Sequence, residues 1–137
     1  MRVVRSILGI LVGLIILSLV AEGIEFLIVT ALHGSITTDQ GLYFAIRNRM
    51  GVLIAKLVYN SGAAFLAGYV AALIAGRAET VHGTVLAVIQ LALFIWGMAF
   101  SEFAGTTPAW AWLALVPLMG LAIYVGAVVA GRRRGSK

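Results

Sequence analysis

Four long apolar runs separated by short polar breaks organise the chain, approximately Ile7 to Leu32, Gly51 to Ala75, Thr84 to Phe103 and Pro108 to Ala130. About 20 apolar residues in a helix cross roughly 30 Å of hydrocarbon, so each run predicts a membrane-spanning helix. The first break holds His33, Gly34, Ser35, Thr37, Thr38, Asp39 and Gln40 and ends in Arg47, Asn48 and Arg49. The second is Gly76, Arg77, Ala78 and Glu79, and the third runs from Ala104 to Pro108. All are turn chemistry, and Pro108 suits the first turn of a helix. Helices satisfy their own backbone inside lipid, whereas barrel strands would show an alternation that the runs lack. The pattern predicts an all-α membrane protein: four transmembrane helices in an up-down bundle, forming one integral membrane domain.

Composition sharpens this picture. Of 137 residues, 62% are hydrophobic and 11% charged, and the mean hydropathy of +1.07 fits no water-soluble domain of this size. The net charge of +5 does not indicate nucleic acid, because the basic residues sit in short clusters between apolar runs without interleaved aromatics. They set topology instead. Arg2, Arg5, Arg77, Arg132, Arg133, Arg134 and Lys137 flank one side against Arg47 and Arg49 on the other, which places both termini in the cytoplasm. Trp110 and Trp112 then fall at the outer start of the fourth span, and Tyr124 toward its inner end, where aromatic rings favour the interfaces. Arg2 and Arg5 before an apolar run could open a signal peptide ending near Ala21. The run continues to Leu32 and position 19 is Leu, so an uncleaved first helix is expected. With no cysteine, disulfides, thiolate metal sites and a Cys nucleophile are excluded.

Each ionisable residue within a span costs about 2.5–3.5 kcal/mol on insertion scales and needs a reason. Glu22 and Glu25 lie three apart on the first helix and share a stripe with Ser18, opposite Gly9 and Gly13. Lys56 and Asn60 lie four apart on the second. Counting about 1.5 Å per residue from the outer ends places Glu25 beside Lys56, about 10 Å deep, and Glu22 beside Asn60, about 15 Å deep. One lysine neutralises one glutamate, and burial keeps the other protonated. Three readings follow: an ion pair that pins two helices in register, a proton or cation site, or side chains that snorkel apart to the interface.

Small residues predict where the helices touch. Gly9 and Gly13 form one close-packing face; Ala64, Gly68, Ala72 and Gly76 form a second, beside Ala63, Ala67 and Ala71. Gly83, Ala87, Gln90, Phe94, Gly97 and Ser101 repeat the device in the third span, with Gln90 hydrogen-bonding between helices. Ala122, Gly126 and Ala130 give the fourth span a small face, and Pro117 kinks it. His33 and His82 fall on opposite sides and cannot share a metal; each is expected to be a solvated loop residue. Glu102 reaches water at the outer end of the third span. Because no phosphate loop, nucleophile elbow or zinc motif is present, no enzyme activity, cofactor or metal is expected.

Several of these features, taken in order, resemble a family of small, uncharacterised four-helix bacterial inner-membrane proteins. They are the late glutamates Glu22 and Glu25, the string from Gly68 to Arg77 closing the second helix, His82 and Gly83 opening the third, Pro108-Ala109-Trp110, and the ending from Gly126 to Arg132. The resemblance implies the four-helix fold and the bacterial inner membrane, and it transfers no activity. In architecture alone the chain is also similar to small multidrug resistance exporters, but Glu22 and Glu25 lie later than that family's carboxylate and the charge bias opposes dual insertion. The expected function is a structural or partner-interacting bundle in the lipid bilayer, self-associating or bound to another membrane protein. The alternative is a small oligomeric proton-coupled transporter or channel that uses an intramembrane carboxylate.

Overall fold

The computed structural model describes residues 2–102 and 104–135. Phe103, the expected end of the third span, and Lys137 of the charge count lie outside the described residues. The element order is α1 (Arg2–His33), α2 (Gln40–Arg47), α3 (Met50–Ala75), α4 (Glu79–Phe100), a 3-10 turn (Ala104–Thr106) and α5 (Ala109–Gly135). Four of these helices, α1, α3, α4 and α5, are long and apolar enough to cross a membrane. Their outward surfaces are apolar as well, with Val58 72% and Leu113 77% exposed. A helix that is apolar all round suits lipid or a large core rather than water.

Several boundaries differ from the pattern-based ones: α1 starts five residues earlier and α5 ends five later, and two further differences change the reading. The break before Arg47 contains α2, an added helix. The third long helix starts at Glu79, five residues before the expected Thr84, and takes His82 into its first turn. His82 is therefore no solvated loop residue: it is buried, and its Nδ1 lies 3.0 Å from the Ala78 carbonyl oxygen. Left-handed glycines close two helices. Gly34 (φ 87°) follows α1 and Gly76 (φ 74°) follows α3, and their amides bond to the Thr30 and Ala72 carbonyls. Glycine adopts this conformation without the steric penalty of a Cβ.

The central helix is α3, which packs against α1, α4 and α5. Ala63, Ala64, Ala67, Ala71 and Ala72 on it are at most 1% exposed, so its neighbours approach nearly to backbone contact. A Cβ on Gly68 would lie 2.0 Å from the Ile123 carbonyl oxygen, and one on Gly126 would lie 2.1 Å from that of Phe65. Gly9 and Gly13 bring α1 onto Ala71 and Ala67, and Gly83 brings α4 onto Ala127. Leu17, Leu86, Leu115, Met119 and Ile123 fill the remaining core. The antiparallel contacts of Gly9 with Ala75 and of Gly131 with Glu79 put the first turns of α1 and the last turns of α5 at the same end of the bundle.

Gly97 departs from the packing expectation, since a Cβ there would meet nothing within 4 Å. The α4 helix is buried at His82, Gly83 and Leu86 but half-buried or exposed from Ala87 onward, where Phe94 still packs against the core. Pro117 is accommodated inside the continuous α5 helix.

Candidate functional site: a buried carboxylate cluster

Glu25, 2% exposed, lies on the buried side of α1 near the end of the bundle that carries α2. Both of its carboxylate oxygens are engaged. Lys56 Nζ donates to Oε2, and the Tyr59 hydroxyl donates to the same oxygen at 3.1 Å. Arg47 Nε lies 2.8 Å from Oε1 as an ion pair, although its N–H is not aligned for a hydrogen bond. Lys56 and Tyr59, three apart on α3, present their polar tips to one oxygen because residues at that spacing share a helix face. Charge-assisted contacts of this kind are what a buried carboxylate requires.

The Glu25 and Lys56 juxtaposition is the one expected from matched depth. Glu22 and Asn60, expected as a second pair, take separate places. Glu22 is exposed and borders an open groove with Phe26, Thr37, Thr38, Asp39 and Tyr43. Asn60 is buried and its Nδ2 donates to the Lys56 carbonyl at 3.0 Å, which satisfies it within α3. The reason is angular: three residues rotate a helix by about 60°, enough to turn Glu22 out of the contact that Glu25 enters.

Arg47, Tyr59 and Tyr43 complete the cluster and were not singled out from the sequence. Arg47 had counted only as a charge of the outer loop. It reaches Glu25 because α2 folds back against the bundle. Asp39 caps this helix by accepting from the Leu42 amide at 3.1 Å, and Ile46, 2% exposed, anchors it. Tyr43, Ile46 and Arg47 therefore face inward together, at the three-and-four spacing of a helix face. A capping aspartate followed by that spacing was the available signal. The Arg47 guanidinium also lies 4.8 Å from the centre of the Phe44 ring. Asn48, just after α2, donates to Thr106 Oγ1 at 3.0 Å and accepts from Thr107 Oγ1 at 2.9 Å, tying this segment to the turn before α5.

Beside the cluster, Arg47, Asn48, Lys56, Thr107 and Trp112 border a small cavity of about 10 Å³, room for about one water molecule. Trp112 packs edge-on against Phe94 at 5.9 Å, closing the cavity rather than lying free at an interface. Among the described residues no group of three or more His, Cys, Asp or Glu side chains could hold a metal ion. The arrangement can hold charge and fix α2. It presents no nucleophile beside a base.

Tyr43 reports the field of the site. Burial, reinforced by the negative charges of Glu25 and Glu22, pushes its phenol from 10.0 up to about 12. Between these values the unfolded chain releases this proton while the folded chain keeps it, so stability falls as pH rises from about 10 to about 12. Tyr43→Phe should flatten that loss, leaving stability at pH 8 little changed, as measured by denaturation in detergent across the alkaline range. An unchanged alkaline slope would show that Tyr43 does not sense the carboxylates.

No protein-family model, curated protein or solved structure matches this chain.

Proposed function

We propose that the chain is a non-enzymatic, multi-pass protein of the bacterial inner membrane with cytoplasmic termini, a packing bundle whose short helix α2 is clamped over its outer end by Glu25. The observation that carries this reading is the full engagement of a 2% exposed carboxylate by groups from two other helices. Orientation is supported by the seven-to-two distribution of basic residues about the spans, and the bacterial inner membrane by the family resemblance.

Helix length supports a position for the cluster. The α1 helix has 32 residues, about 48 Å, well beyond the roughly 30 Å of hydrocarbon. About 30 Å measured from Arg5 along α1, or from Arg77 along α3, ends close to Glu25 and Lys56. The cluster thus falls at the outer hydrocarbon boundary rather than 10 Å beneath it, with the last turns of α1 rising beside the α2 segment. A clamp is most useful at that boundary, where the backbone of a polar connection must be kept from the lipid.

A transport reading is favoured by one observation, the exposed Glu22 carboxylate beside the groove. Reconstituted vesicles test the two. The clamp reading expects no proton flux above protein-free vesicles; reproducible wild-type flux abolished in Glu22→Gln would overturn it in favour of a proton-coupled transporter or channel. Orientation is checked in intact cells. Cysteine at Thr38 should react with an impermeant thiol reagent and cysteine at Ser136 should not, and the reverse labelling would invert the topology.

A further inference from the structure

Gln90 lies midway along α4, about 15 Å from either end of this 22-residue helix. It is half-buried and makes no hydrogen bond to any described residue. Its side chain borders a cleft between α4 and α5 of about 190 Å³, with Thr84, Ala87, Phe94, Val116 and Gly120. Nothing there satisfies it: the Thr84 hydroxyl donates to the Thr80 carbonyl of its own helix at 2.9 Å, and the other four side chains are apolar or absent. The cleft opens along the part of α4 that is no longer buried, beyond Leu86. Gly120 borders the cleft, and Gly97 lies two turns beyond Gln90 on α4; neither has an atom within 4 Å of where a Cβ would be, so another helix can approach both backbones closely.

We propose that the α4–α5 cleft receives α4 of a second copy of this chain, with the two Gln90 carboxamides hydrogen-bonded to each other across a two-fold axis. An acyl tail fills volume but offers neither donor nor acceptor, and water does not hydrate the middle of a bilayer, so an unpaired carboxamide there is costly. A carboxamide carries both a donor and an acceptor, which makes it complementary to itself. Two-fold contacts bring identical residues face to face, and α4 presents a single polar side chain at this depth. Carboxamide hydrogen bonds and glycine-permitted approach are the two devices that associate helices in lipid. The proposal goes beyond the clamp and depends only on the membrane placement of the bundle.

The test uses the full chain in phospholipid vesicles. Copies carrying Ser136→Cys, the only cysteine, are labelled with donor or acceptor dyes, and energy transfer is followed as protein is diluted in lipid. Wild type should show a reversible monomer–dimer transition. Gln90→Met, which keeps length and removes hydrogen bonding, should weaken dimerisation by about tenfold or more while leaving thermal unfolding unchanged. Gly97→Ile, which meets open space within one bundle, should weaken it independently should Gln90→Met perturb the fold. A monomer at all densities, or dimerisation unaffected by both substitutions, overturns the proposal, including the outcome in which only lipid fills the cleft. Thr38→Cys copies, reconstituted separately in vesicles of the same lipid and labelled from outside, tell failure of the dimer from failure of membrane insertion: correctly inserted monomers sink the dimer alone.

Discussion

Glu25→Leu should destabilise the bundle by about 3–5 kcal/mol, the cost of leaving buried charges without their partner, and Lys56→Met should cost distinctly less. The asymmetry follows from the charge count at the site. Glu25 faces both Lys56 and Arg47, so removing the carboxylate leaves two cations confined together. Removing Lys56 leaves Glu25 opposite Arg47, a neutral pair that keeps the Tyr59 hydrogen bond. The triple replacement Glu25→Leu, Lys56→Met and Arg47→Met should recover much of the loss, because apolar side chains of similar volume carry no desolvation cost. Unfolding in mixed micelles gives the energies, and protease access to the α2 segment shows whether the clamp opened. A Lys56→Met loss equal to or larger than that of Glu25→Leu would mean that Arg47 does not neutralise the carboxylate.

At the crossing of α3 and α5 a single methyl group should be enough to force the helices apart. Gly68→Ala and Gly126→Ala place a Cβ at 2.0 Å and 2.1 Å from carbonyl oxygens of the facing helix, and a backbone cannot yield as a flexible side chain does. Each should cost about 3 kcal/mol, the upper part of the usual range for overpacking. Gly62→Ala and Gly97→Ala, which meet nothing within 4 Å, should instead be neutral or stabilising by up to about 1 kcal/mol, since alanine is the better helix former. The comparison isolates contact from propensity, because all four positions are helical glycines in similar apolar runs. Equal effects at the four sites would show that the α3–α5 crossing is looser than the structure has it.

Both outcomes turn on the difference between identifying a residue and knowing what it faces. Gly68 and Gly97 read alike in the chain, each within a ladder of small residues at helical spacing. One touches a backbone and the other open space because α3 is enclosed by three helices whereas α4 beyond Leu86 lies at the edge of the bundle, and no local pattern records which helix is enclosed. Glu22 and Glu25 carry identical chemistry three positions apart; the rotation of α1 about its axis turns one into the Lys56 contact and leaves the other exposed.

What the sequence by itself determined is the set of four long helices, and it offered the Glu25–Lys56 juxtaposition from matched depth beside the alternative that the two side chains snorkel apart. Uninterrupted apolar runs bounded by turn residues have few folded solutions, and antiparallel neighbours of known rise per residue meet at calculable depth. Tertiary structure alone decided the remaining members of the cluster, Arg47, Tyr59 and Tyr43. Arg47 is distant from Glu25 in sequence and becomes its partner only when Asp39 caps α2, Ile46 buries, and Asn48 ties the segment to Thr106 and Thr107. Those contacts arise where a polar connection folds back onto the bundle, and at such a place the partner of a charge is set by three-dimensional closure rather than by hydrophobic periodicity.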